Sequence, residues 1–129
     1  MDAILAAEGC RCYNHTHMEV PVMMKTIKYQ KLVRDRIPEI IEKEGKQSVC
    51  SILSDEEYLM LLDQKLSEEL GEYLEDKSME ELADLLEVMM AVAKARGSSI
   101  EEVETIRRQK AEKRGRFEKK ILLEEVFEP

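Results

Sequence analysis

The 129-residue sequence predicts an all-α fold, an antiparallel bundle of about four helices. Three observations predict it: 37% of the residues are charged, only 5% are aromatic with no Trp, and Ser-x-x-Glu starts precede runs of apolar residues at helical spacing. A chain of this length suits one domain, so one site carries the function.

In order along the chain, residues 1–24 lack helical periodicity and read as a loose N-terminal extension, with residues 25–129 as the single helical domain. Met23 and Met24 sit where the regular pattern begins, so translation starting there is one expectation for this boundary. Asp35 is expected to cap a brief helix with Pro38 in its first turn and Gly45 as its stop. Residues 47–53 are β-capable, and residues 121–127 either pair with them as a short strand or wrap the bundle.

Ser54 with Glu57 opens the first long helix, where Leu59, Leu62, Leu66, Leu70 and Tyr73 recur over about five turns. Ser78 with Glu81 opens the second, with Leu82, Leu85, Leu86, Met89, Met90 and Ala93 as its apolar face and Gly97 as its stop. Ser99 with Glu102 opens a third that runs through Val103 and Ile106 to Gly115. The short connection from Tyr73 to Ser78 makes the two long helices an antiparallel hairpin. The methionine-rich second long helix exposes more apolar surface than a thin bundle covers, which predicts a homodimer or higher oligomer.

The net charge is −8, with 28 acids against 20 bases, which argues against polymeric nucleic acid as the main partner. No apolar run approaches the roughly 20 residues needed to cross a bilayer, and nothing resembles a secretory signal. A cytoplasmic protein is expected. The arrangement C-x-C-x-x-H-x-H formed by Cys10, Cys12, His15 and His17 has zinc-ligand types, but its spacing is poor for a structural site. Cys50 and the methionines read as packing residues.

Chemistry concentrates in the hairpin. Residues three apart share a helix face, so Glu69 and Glu72 project together from the first long helix, as do Glu81 and Asp84 from the second. Glu69 falls within about 20° of Leu62, beside the apolar stripe, where a solvated charge has no reason to be. Four carboxylates facing one cleft repel unless they protonate or receive a cation. Oxygen-only ligands fit Mg²⁺, for which Mn²⁺ can substitute. The competing reading of these acids is a set of solvated helix faces, and spacing alone does not separate the two.

The stretch KLSEELGEYLEDKSMEELADLLEVMMAVAK, residues 65–94, resembles the paired E-E-x-x-E and E-x-x-D motif of MazG-type all-α nucleoside triphosphate pyrophosphohydrolases. KLVRDRIPEIIEKEGK, residues 31–46, and KAEKRGRFEKKILLEE, residues 110–125, resemble flanking signatures of the phosphoribosyl-ATP pyrophosphohydrolase-like branch. Arg116 stands where that branch usually has a second glycine, and no S-Y-T-x-x-L stretch occurs. The resemblance implies a hydrolase that splits a small nucleotide at its α-β phosphate linkage, releasing a nucleoside monophosphate and pyrophosphate, in nucleotide-pool house-cleaning. It implies Glu69, Glu72, Glu81 and Asp84 as Mg²⁺ ligands. A carboxylate left partly free of metal, Glu69 or Glu72, is the expected general base. Lys31, Arg34, Lys110 and Arg114 match the branch signatures and are the candidate phosphate-binding residues. Phosphoribosyl-ATP hydrolysis in histidine synthesis and a non-catalytic nucleotide-binding regulatory module are the alternatives.

Overall fold

The computed structural model describes residues 11–12 and 25–129. Apart from the backbone of Arg11 and Cys12, the N-terminal extension, its Cys/His cluster and the Met23–Met24 start lie outside the described residues.

Among the described residues the elements run β1 (Arg11–Cys12), α1 (Ile37–Lys43), β2 (Val49–Cys50), α2 (Asp55–Asp76), α3 (Met79–Ala95) and α4 (Ile100–Arg114). The fold is all-α, as the sequence predicts. Each of the three longer helices starts at its expected serine. The Oγ atoms of Ser54, Ser78 and Ser99 accept hydrogen bonds from the backbone N–H groups of Glu57 (3.2 Å), Glu81 (3.3 Å) and Glu102 (3.1 Å).

The stops also follow local chemistry. Gly97, at φ +85°, closes α3: its N–H donates to the Lys94 carbonyl and that of Ser98 to the Ala93 carbonyl, a Schellman arrangement. Gly45 and Lys46 close α1 in the same way, bonding to Glu42 and Ile41. The end of α2 differs from expectation. It continues through Asp76, and the reversal is made by Lys77, a non-glycine residue in the left-handed region at φ +57°, with Ser78. The connection is therefore two residues long, and α2 and α3 pack side by side as an antiparallel pair. The Arg96 guanidinium, just past α3, meets Asp63 near the start of α2 at 2.8 Å and ties the open end of the hairpin.

Three expectations need correction. Asp35 does not cap α1: Arg36 is the N-cap residue and no side chain caps it. The Ile37 N–H is already taken by the Arg34 carbonyl and that of Ile40 by the Arg36 carbonyl, so the first turn has little need of a side-chain acceptor. The β-pair joining residues 47–53 to 121–127 does not form. Val49–Cys50 pairs in parallel with Arg11–Cys12 instead, while residues 121–127 have no regular secondary structure and are exposed. The helix before that segment, α4, likewise buries none of its own residues. Finally, Met89 and Met90 are not core: both are exposed, as are Leu82 and Leu86.

That last correction reveals two apolar sides on α3. Leu85, Val88 and Val92 are partly buried and share a face with Glu81 and Asp84. Met79, Leu82, Leu86, Met89 and Met90 form a second stripe, spanning about 100° of the helix, and it is open to solvent. The buried apolar side chains among the described residues are only Ile37, Ile41, Leu62 and Ala93; Ile37 and Ile41 gather Tyr29, Val33 and Ile40 around them. No helix among the described residues is long and apolar enough to cross a membrane.

Candidate metal centre

The hairpin brings carboxylates from both helices together two turns from the reversal. Glu69 sits on α2 one helical row from the buried Leu62; Glu81 and Asp84 lie on the first two turns of α3. Glu69, Glu81 and Asp84 each offer a carboxylate oxygen, and these three atoms lie within 4.8 Å of one another. Glu69 is 5% exposed and Glu81 4%, so two of the three are among the most buried side chains described. Ionised pairs at that separation repel by about 3 kcal/mol each at an effective dielectric near 20.

Several charges offset part of this repulsion. The Lys65 ammonium, one turn back on α2, lies 3.4 Å from Glu69 Oε1 and 3.5 Å from Glu68 Oε1. The Arg34 guanidinium, on the segment before α1, donates to Asp84 Oδ1 at 2.6 Å and approaches Glu87 at 3.8 Å. Glu81 occupies the first turn of α3, where the positive end of the helix dipole favours an anion. Among the described residues one atom is left over: Oε2 of Glu69 is enclosed and has no hydrogen-bond partner there. A buried carboxylate oxygen without a donor is costly. A cation placed among these oxygens would relieve that cost and the mutual repulsion together, so the residues present fit a hard divalent metal.

The fourth predicted ligand is placed differently. Glu72 is not part of the cluster of three, although it shares a helix face with Glu69. It is half-buried, and its charge is among those that raise the Lys31 ammonium pKa. One turn separates Glu69 from Glu72, and α3 meets Glu69 with two of its acids, Glu81 and Asp84, at once.

Lys31 stands over this same face. Its ammonium donates to Glu68 Oε1 at 3.1 Å. That hydrogen bond, the Glu68 charge and the charges of Glu72 and Glu69 raise its pKa against a smaller opposing effect of burial. Burial pushes the Glu68 carboxyl up, but Lys31 and Lys65 outweigh it and hold the group below the ordinary carboxylate value. The structure therefore brings Lys31 and Arg34 to the acidic face and leaves the other two candidate phosphate binders elsewhere. Lys110 and Arg114 lie exposed on α4 and, among the described residues, their side chains make no hydrogen bond or ion pair.

Two participants were not singled out from the sequence. Lys65 was legible, since Lys65, Glu68 and Glu69 stand at i, i+3 and i+4 on one helix. Glu87 as a second contact of Arg34 was not, because it depends on where the segment before α1 crosses α3.

No protein-family model matches the chain, and no solved structure matches it. An uncharacterized protein of Mycolicibacterium smegmatis is 56% identical over 41 residues, which is 32% of this chain and 42% of that one.

Proposed function

We propose that this chain is a divalent-metal-dependent nucleotide pyrophosphohydrolase of the MazG type, taking a nucleoside triphosphate-like substrate to the monophosphate and pyrophosphate. The observation that carries the reading is the three-carboxylate cluster with its buried, unpartnered Glu69 oxygen. The motif resemblance of residues 65–94 supplies the reaction type.

Glu69, Glu81 and Asp84 would hold Mg²⁺ or Mn²⁺, with Glu72 one turn further along α2. Such a metal supplies charge neutralisation at phosphate oxygens and a more acidic water. Glu72, standing outside the cluster of three, is the carboxylate best placed to accept a proton from the attacking water. Glu69, enclosed and 3.4 Å from the Lys65 ammonium, would fix the position of the metal. Lys31 and Arg34 bind the phosphate groups: each already holds an anionic oxygen at the edge of the cluster, and each is about half exposed and can turn to a substrate. The protein acts in the cytoplasm on free nucleotides and self-associates through its exposed apolar surface.

Purified protein is expected to release pyrophosphate from at least one member of a panel of canonical, deoxy and damaged triphosphates in Mg²⁺ or Mn²⁺. Asp84→Ala should reduce that rate at least 100-fold. Glu81→Gln should raise the metal-free melting temperature by relieving repulsion, while shrinking the rise that Mn²⁺ produces in the parent protein. Full turnover in both variants would refute the site; tight nucleotide binding with no pyrophosphate release would mark a binding module instead.

A further inference from the structure

We infer that Asp84 exchanges partners: when a divalent cation takes the cluster, the Arg34 guanidinium passes from Asp84 one turn along α3 to Glu87. Glu87 is then a positioning residue for Arg34, and the two together set how tightly the centre takes metal. The inference rests on the metal centre proposed above and concerns what controls it.

Arg34 donates through Nη2 to Asp84 Oδ1 at 2.6 Å, while its Nη1 stands 3.8 Å from Glu87 Oε1. The first contact is a charge-assisted hydrogen bond; the second is too long to be one. Asp84 also belongs to the three carboxylates whose oxygens converge within 4.8 Å. A guanidinium and a divalent cation therefore draw on one carboxylate, and their like charges repel at this range. The divalent cation would engage three carboxylates where Arg34 holds Asp84, so Arg34 is the one that yields.

Arg34 can move without disturbing the fold. Its backbone is fixed, because its carbonyl accepts from the Ile37 N–H at 3.1 Å and the neighbouring Val33 packs against Ile37 and Ile41. Its side chain is 51% exposed. Lys65, 3.4 Å from Glu69, differs: it is 13% exposed and stands on the same helix as the acids it meets. Lys31 meets Glu68, which lies outside the cluster of three. Glu87 is the landing place that α3 offers, since it follows Asp84 by three residues on one helix face and is 56% exposed. From there the guanidinium stays beside the cluster, where its fork suits phosphate oxygens.

The test reads Mn²⁺ binding to the full chain without nucleotide, from the electron paramagnetic resonance of free Mn²⁺. Arg34→Met should tighten binding about tenfold, and Glu87→Gln should weaken it about fivefold. Adding Glu87→Gln to Arg34→Met should change nothing further, because Glu87 acts through Arg34; a general effect of the Glu87 charge would persist in that background. Circular dichroism should give the same helix content in all four proteins, since both side chains are more than half exposed. Mn²⁺ binding that Arg34→Met leaves unchanged or weakens would overturn the exchange and spare the metal centre, as would a Glu87→Gln effect undiminished in the double variant. No Mn²⁺ binding by the parent or by Arg34→Met would overturn the centre itself, and the exchange with it.

Discussion

Lys31 and Glu68 illustrate how one contact can serve both folding and chemistry. Glu68 is held below its ordinary carboxylate pKa and Lys31 above its ordinary ammonium pKa, so the pair contributes to stability across the neutral range. The contribution of Glu68 is lost as pH falls through its lowered folded-state pKa; that of Lys31 is lost as pH rises through its raised one. Lys31→Met should therefore flatten the fall in stability between about pH 5 and pH 3 in urea melts, by about 0.5 kcal/mol for a contact this exposed. An acid limb unchanged by the substitution would show that the pair is idle in solution. At this scale the sequence was partly legible. Glu69 announced itself because it borders the stripe of Leu62 on a predicted helix, and its burial follows from that geometry. Arg34 against Asp84 joins residues fifty apart, and no periodicity encodes where a segment outside the helices crosses them. Glu72, three residues from Glu69, was expected to stand beside it among the ligands; helical spacing fixes the face but not which turn the opposite helix meets.

Among the elements, helix boundaries were the most readable feature because capping is local. A serine that accepts from the third residue onward, and a glycine with positive φ, need no distant partner to be specified. Gly97 shows what that is worth. A Cβ added there would meet nothing within 4 Å, so the cost of Gly97→Ala is conformational alone. It should destabilise the protein by about 1 kcal/mol in urea unfolding with an unchanged slope. A neutral result would mean that the end of α3 can close without its left-handed residue. Strand pairing was not readable in the same way. Residues 47–53 were recognised as β-capable, yet their partner is Arg11–Cys12, not residues 121–127, since a two-residue ladder is chosen by tertiary placement rather than by its own sequence.

As a whole molecule, the chain has little buried apolar surface among the described residues and two apolar sides on α3. Periodicity located the apolar residues of α3 correctly but merged its two faces into one, because a helix apolar on both sides gives one broad signal. The self-association proposed above would make stability depend on protein concentration. Its melting temperature should rise by several degrees between 1 and 100 μM protein, measured by circular dichroism; a melting temperature indifferent to dilution would show that each chain is stable alone.

The turn at Lys77 and Ser78 bears on how this sequence can change over evolutionary time. With two residues joining α2 to α3, the connection has no slack to absorb an insertion. One added residue there, if taken up as helix, would turn α3 by about 100° against α2 and carry Glu81 and Asp84 off the face that Glu69 meets. Length variation beyond α4 leaves the acids where they are, whereas at this reversal the spacing between Glu69 and Glu81 is itself what descent must preserve.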